Sequence, residues 1–132
     1  MDERIGLAVE RWLIKAENDL RTAETILAID NPITDTACFH AHQCAEKSLK
    51  AFLTHYNVYV EKTHDLTRLV EICCKIDPEV QTMRGSAGTL AKFAVASRYP
   101  DDWREIPLEE AKQATGDARK VFEFVKGRVK FK

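Results

Sequence analysis

The stretch FHAHQCAEKSLKAFL, from Phe39 to Leu53, packs two histidines, a cysteine, a glutamine, an acid and two lysines into one apolar run. Residues of these types support three chemistries: metal ligation, proton transfer, or recognition of a polar partner. Spacing decides among them. His40 and His42 are two residues apart, so on a helix turning about 100° per residue they point to nearly opposite sides and cannot share an ion. Cys38 with His42, or His40 with Cys44, has the i, i+4 spacing of a zinc pair, but neither finds an evident second pair. No H-E-x-x-H motif is present. No metal site and no cofactor are therefore expected, and His40 and His42 are placed at the boundary between core and surface.

On the same helical wheel, Ala41, Cys44, Ala45, Ser48, Leu49 and Phe52 form the inward arc. Phe39, Gln43, Glu46, Lys47 and Lys50 form the opposite arc. Glu46 and Lys50 are an i, i+4 pair, which on a solvated face contributes about 0.2–0.5 kcal/mol. An aromatic ring beside an amide and two lysines suits a protein partner or a nucleobase. From periodicity alone, a solvated face and a binding face are both open.

The elements that must position this face are helical. Val9, Leu13, Ala16, Leu20, Ala23 and Leu27 recur at alternating spacings of four and three. The second segment runs from about Thr34 to Tyr56. A short third follows Thr63, with Leu66, Leu69, Val70 and Cys73 on one side. A fourth, opened by Asp77 as N-cap and Pro78 at the first helical position, turns Val80, Met83, Ala87, Leu90, Ala94 and Ser97 inward. Gly85 and Gly88 within it suggest a kink or a close helix contact. The fifth carries Leu108, Ala111, Thr115, Ala118, Phe122, Val125 and Val129 inward, with Glu109 and Glu110 suiting its N-terminus. The spacing predicts an all-α fold, an antiparallel up-and-down bundle of four long helices plus one short helix.

The chain has 132 residues, 45% hydrophobic and 31% charged, with a formal net charge of -1. Those values fit one domain spanning residues 1–132 and make no demand for nucleic acid or membrane. Cys38, Cys44, Cys73 and Cys74 form no C-x-x-C pair and are expected as free, buried thiols. No apolar run reaches the length of a membrane span, and no signal-peptide h-region is seen, so a cytoplasmic protein is expected.

The order Phe39-His40-x-x-Gln43-x-x-Glu46-Lys47-x-x-Lys50-Ala51 resembles the F-x-x-x-Q-x-x-E-K-x-x-K-A signature of HEPN domains. The resemblance extends to the Lys62-Thr63-His64-Asp65-Leu66 turn, to Ser97-Arg98-Tyr99-Pro100, and to Trp12–Leu27 with its Ala16-x-x-Asp19-Leu20 pattern. It implies a helical bundle that dimerises, and a small prokaryotic type encoded beside a minimal nucleotidyltransferase in toxin–antitoxin pairs or nucleotide-binding complexes. Many members are metal-independent ribonucleases that use an R-x(4–6)-H motif. Here no histidine follows Arg98 at that distance, and none of the four histidines has an arginine five to seven residues before it. Acid–base chemistry at neutral pH leans on histidine, so the resemblance implies a binding or interaction module rather than an independent enzyme.

Its expected binding residues are Phe39, Gln43, Glu46, Lys47, Lys50, Arg98 and Tyr99. The expected partners are a second copy and a nucleotidyltransferase, with a nucleotide or RNA as ligand. The alternative is a divergent ribonuclease in which Arg98 stabilises charge and Asp101 or Asp102 moves protons. His64 is expected to cap or orient the third helix.

Overall fold

The computed structural model describes residues 2–94 and 104–130. Among these residues every regular element is helical: α1 (Glu3–Ala28), α2 (Thr34–His55), α3 (Leu66–Ile76), a 3-10 turn (Pro78–Met83), α4 (Arg84–Ala91) and α5 (Leu108–Val129). The all-α architecture is the one the apolar spacing predicts. α2 lies at the centre and packs against α1, α3, α4 and α5.

The core follows the inward arcs. Leu13, Ala16, Ala23, Ala41, Cys44, Ala45, Phe52, Leu66, Leu69, Cys73, Ala111 and Ala118 have no exposed surface. Alanine on facing helices lets backbones approach closely, and ridges of small side chains then seat in the neighbouring grooves. Several inward positions depart from the pattern: Leu27 at the end of α1 and Met83 and Ala94 of the fourth segment are half-buried, and α5 departs at both ends. Leu108, in the first turn of α5, is exposed, and Val129, in the last, is half-buried. Terminal turns lie at the ends of the bundle, beyond the neighbours that cover the middle.

The fourth segment is divided rather than continuous. Asp77 does act as its cap, accepting from Glu79 N at 3.0 Å, with Pro78 next. Pro78–Met83 then winds as a 3-10 turn, and α4 starts only at Arg84 and ends at Ala91. Gly85 and Gly88 stand beside this change of winding, where weak helix propensity favours a short element. Neither glycine marks a close helix contact, because a Cβ at either position would meet nothing within 4 Å. Ala94 lies beyond the helix, and Ser97 lies outside the described residues.

All four cysteines are free thiols, three of them buried and Cys74 half-buried. Burial pushes the thiols of Cys44 and Cys73 up to about 12 and that of Cys38 to about 11, so these three remain protonated and unreactive.

A candidate recognition strip on the central helix

α1 and the turn before α3 close on the α2 face that periodicity assigns to the outward arc. Only Phe39, Gln43 and Lys47 remain half-buried there. Glu46 is 4% exposed and Lys50 7%, which overturns their assignment to an outward arc. Their i, i+4 pair does form, at 3.1 Å, but it is buried. Periodicity identifies the face turned most deeply inward. It cannot show that a central helix has neighbours on several sides.

Two carboxylates organise the strip, each holding one lysine and one histidine. On one border Asp19 of α1 accepts from Lys47 Nζ at 2.6 Å through Oδ2, and from His40 Nδ1 at 2.8 Å through Oδ1. On the other border Glu46 accepts from Lys50 Nζ at 3.1 Å through Oε2, and from His64 Nδ1 at 2.9 Å through Oε1. Lys47 and Glu46 are successive residues and project about 100° apart, with Gln43 and Phe39 falling between His40 and Glu46 in angle around the helix. An ionised carboxylate only accepts, so Nδ1 carries the proton in each imidazole and Nε2 is the remaining ring nitrogen. The Lys50 ammonium also lies 5.8 Å from the centroid of the Trp12 ring, within range of a cation–π attraction.

Of the two purposes expected of His64, capping α3 falls to its neighbour, and holding the turn that leads into α3 remains to His64. Asp65 caps α3, its side chain accepting from Arg68 N at 3.2 Å, while His64 ties the preceding turn to α2. His42 is also not a boundary residue. It has no exposed surface, neither ring nitrogen has a hydrogen-bond partner among the described residues, and Nδ1 stands 4.0 Å from Glu46 Oε1. Burial pushes its pKa below the usual 6.5, against an opposing pull from the Glu46 carboxylate.

Of the seven residues singled out by sequence, the structure brings Phe39, Gln43, Glu46, Lys47 and Lys50 together along α2. Arg98 and Tyr99 lie outside the described residues, as do Asp101 and Asp102. Asp19, His40, Trp12 and His64 join the strip without having been assigned to it. All four stand in the stretches that carry the family resemblance, and Asp19 has a further signal: it is an acid on the same wheel face as Trp12 and the apolar Ala16 and Leu20 of α1. No cluster of three His, Cys, Asp or Glu side chains fit for a metal ion exists among the described residues, and none of the described helices is long and apolar enough to cross a membrane.

A family model described as the HEPN domain matches residues 9–128. Among solved structures, the chain is similar to ST0689, an archaeal HEPN homologue, at 27% identity and a TM-score of 0.73, covering 92% of this chain and 97% of that one. It is similar to TT1696 from Thermus thermophilus at 27% identity and a TM-score of 0.74, covering 90% and 96%. No curated protein matches the chain.

Proposed function

The chain belongs to the HEPN domain family, and from that premise we propose that it is a nucleotide-binding or interaction module. It works as a homodimer beside a minimal nucleotidyltransferase, in a toxin–antitoxin-like pair. The fixed position of Lys47 carries this reading. Asp19 holds its ammonium at 2.6 Å beside a half-buried amide and a half-buried aromatic ring. A cation fixed before a ligand arrives, beside an amide with donors and an acceptor and an apolar ring, suits recognition of a base, a phosphate or a polar protein surface. Lys50 is a support rather than a contact, since it is buried against Glu46 and Trp12.

The test is a thermal-shift screen against ATP, GTP, CTP, UTP and short RNA, run with the nucleotidyltransferase present and absent. A ligand at about 100 times its Kd stabilises by about 2.7 kcal/mol. Gln43→Ala and Lys47→Gln, the latter leaving Asp19 its bond from His40, abolish the shift or the complex if the strip binds. Lys50→Glu is a poor probe, because it places two carboxylates together in a buried site and unfolds the chain for reasons unrelated to binding. Wild-type shifts retained in both strip variants would refute the reading.

A second reading, the divergent metal-independent ribonuclease using Arg98, is favoured by the two carboxylate-anchored imidazoles. A carboxylate on Nδ1 that leaves Nε2 available is an arrangement suited to proton transfer. RNA cleavage in EDTA that falls in both Arg98→Ala and His64→Ala would support it, and equal residual cleavage in these variants would sink it.

A further inference from the structure

The outer face of α1 carries two exposed apolar side chains, Leu7 at 47% and Ile14 at 44%. They are seven residues apart, so they form a ridge about 10.5 Å long on one side of the helix. At about 100° per residue, Arg11 and Arg4 fall about 50–70° to one side of this ridge, and Glu3 and Glu10 about 30–50° to the other. All four charged residues are exposed. Beside the basic row lies a groove of about 430 Å³ whose lining includes Arg4, Leu7, Arg11, Trp12 and Lys15. Among the described residues Arg4 pairs only with Asp2, at 3.4 Å on a highly exposed guanidinium.

A ridge with a basic row on one side and an acidic row on the other selects its partner. A polyanion such as RNA meets Glu3 and Glu10 along one edge and gains nothing from Leu7 and Ile14. A parallel helix with its own apolar ridge and the same order of charges, each seen ridge-on, satisfies both rows when turned to face this one. α1 itself is such a helix. Under a two-fold axis parallel to α1, the basic row of one copy faces the acidic row of the other. Arg4 and Glu3, and likewise Arg11 and Glu10, are then only about 1.5 Å apart in height, because each pair is made of successive residues. An antiparallel arrangement sets acid against acid and base against base, so the charge order also fixes direction.

We propose that the outer face of α1 is the surface on which a second copy of this chain docks, parallel and in register, with Leu7 and Ile14 meeting their counterparts between crossed Arg–Glu rows. This rests on the homodimer reading above and assigns it a face. The groove beside the basic row receives the partner's acidic row.

Charge exchange on the full chain tests it. One variant carries Arg4→Glu and Arg11→Glu, and a second carries Glu3→Arg and Glu10→Arg. Mass is measured by light scattering over a concentration series, with circular dichroism showing that both remain helical. The wild type is expected to be dimeric, and each variant to dissociate at least about tenfold more readily, since like charges then face each other. Mixing the two variants is expected to restore a dimer of unlike chains, visible by native mass spectrometry. A monomeric wild type overturns both this proposal and the homodimer reading. A dimeric wild type whose variants stay equally dimeric overturns only the face. Variants that leave the dimer intact but lose the nucleotidyltransferase overturn it too, and give the ridge to that partner.

Discussion

Glu46 and His42 share a buried corner of α2, and their chemistry pulls in opposite directions. Glu46 is set among donors: Lys50 on one oxygen and His64 on the other. His42 stays neutral because burial penalises its cation more than the carboxylate 4.0 Å away rewards it. The sign of the pH effect follows. Its folded pKa lies below the unfolded 6.5, so the unfolded chain binds the extra proton first and stability falls as pH drops through about 6.5. The loss levels off once pH passes below the folded value. One proton gives a slope of at most about 1.4 kcal/mol per pH unit. His42→Leu, which also removes two unpaired ring nitrogens, is expected to flatten this part of the profile without lowering stability at pH 8. Urea melts of both proteins from pH 8 to pH 5 measure it, and parallel profiles would show that His42 is not the titrating group. Nothing in the sequence separates His42 from His40. Two residues apart on a helix, they meet different neighbours, and only the fold supplies those neighbours.

The helices themselves were legible wherever apolar spacing persists for several turns. The inward residues of α1, α2 and α3 are buried as the four-and-three alternation requires, with Leu27 at the end of α1 only half-buried. The division of the fourth segment was not legible, because Val80, Met83 and Ala87 suit a 3-10 turn followed by a short helix as well as one long helix. The turn before α3 was legible as a boundary but not as an attachment. Two bonds with separate purposes meet there: Asp65 caps α3, and His64 holds the turn to Glu46. An exposed N-cap of this kind contributes about 1 kcal/mol. Asp65→Ala is therefore expected to lower stability by about that amount in chemical denaturation. It leaves the strip intact, since His64 and Glu46 are untouched. A loss above about 2 kcal/mol, the upper end for a lone cap, would mean that the cap and the His64 attachment form one cooperative unit.

For the whole molecule, α2 as a central helix explains both the stability of the fold and the partial legibility of the site. Thirteen of its 22 residues are buried, so the strip is the narrow remainder of a helix covered on most sides. A signature read as F-x-x-x-Q-x-x-E-K-x-x-K mixes residues that face the remainder, Phe39, Gln43 and Lys47, with residues that brace it, Glu46 and Lys50. Sequence order cannot separate the two groups, because bracing depends on α1 and on the turn before α3. The same centrality ranks the molecule's tertiary contacts. Phe52 is fully buried at the heart of the core and meets Tyr56 with ring centroids 4.9 Å apart and planes tilted by 48°. Arg119 and Glu24 join α5 to α1 at 2.8 Å on the surface, both substantially exposed. Truncating a buried phenylalanine costs about 3–5 kcal/mol, whereas an exposed ion pair contributes about 0–1 kcal/mol. Phe52→Ala is thus expected to lower Tm by about 10 °C or more in a chain of this size, and Arg119→Ala by no more than a few degrees. A single cooperative transition in both variants is the further expectation, since every helix borders the same core. Differential scanning calorimetry reads both quantities. An Arg119→Ala loss equal to that of Phe52→Ala would place the stability of the bundle in its charged seams instead of its packed centre.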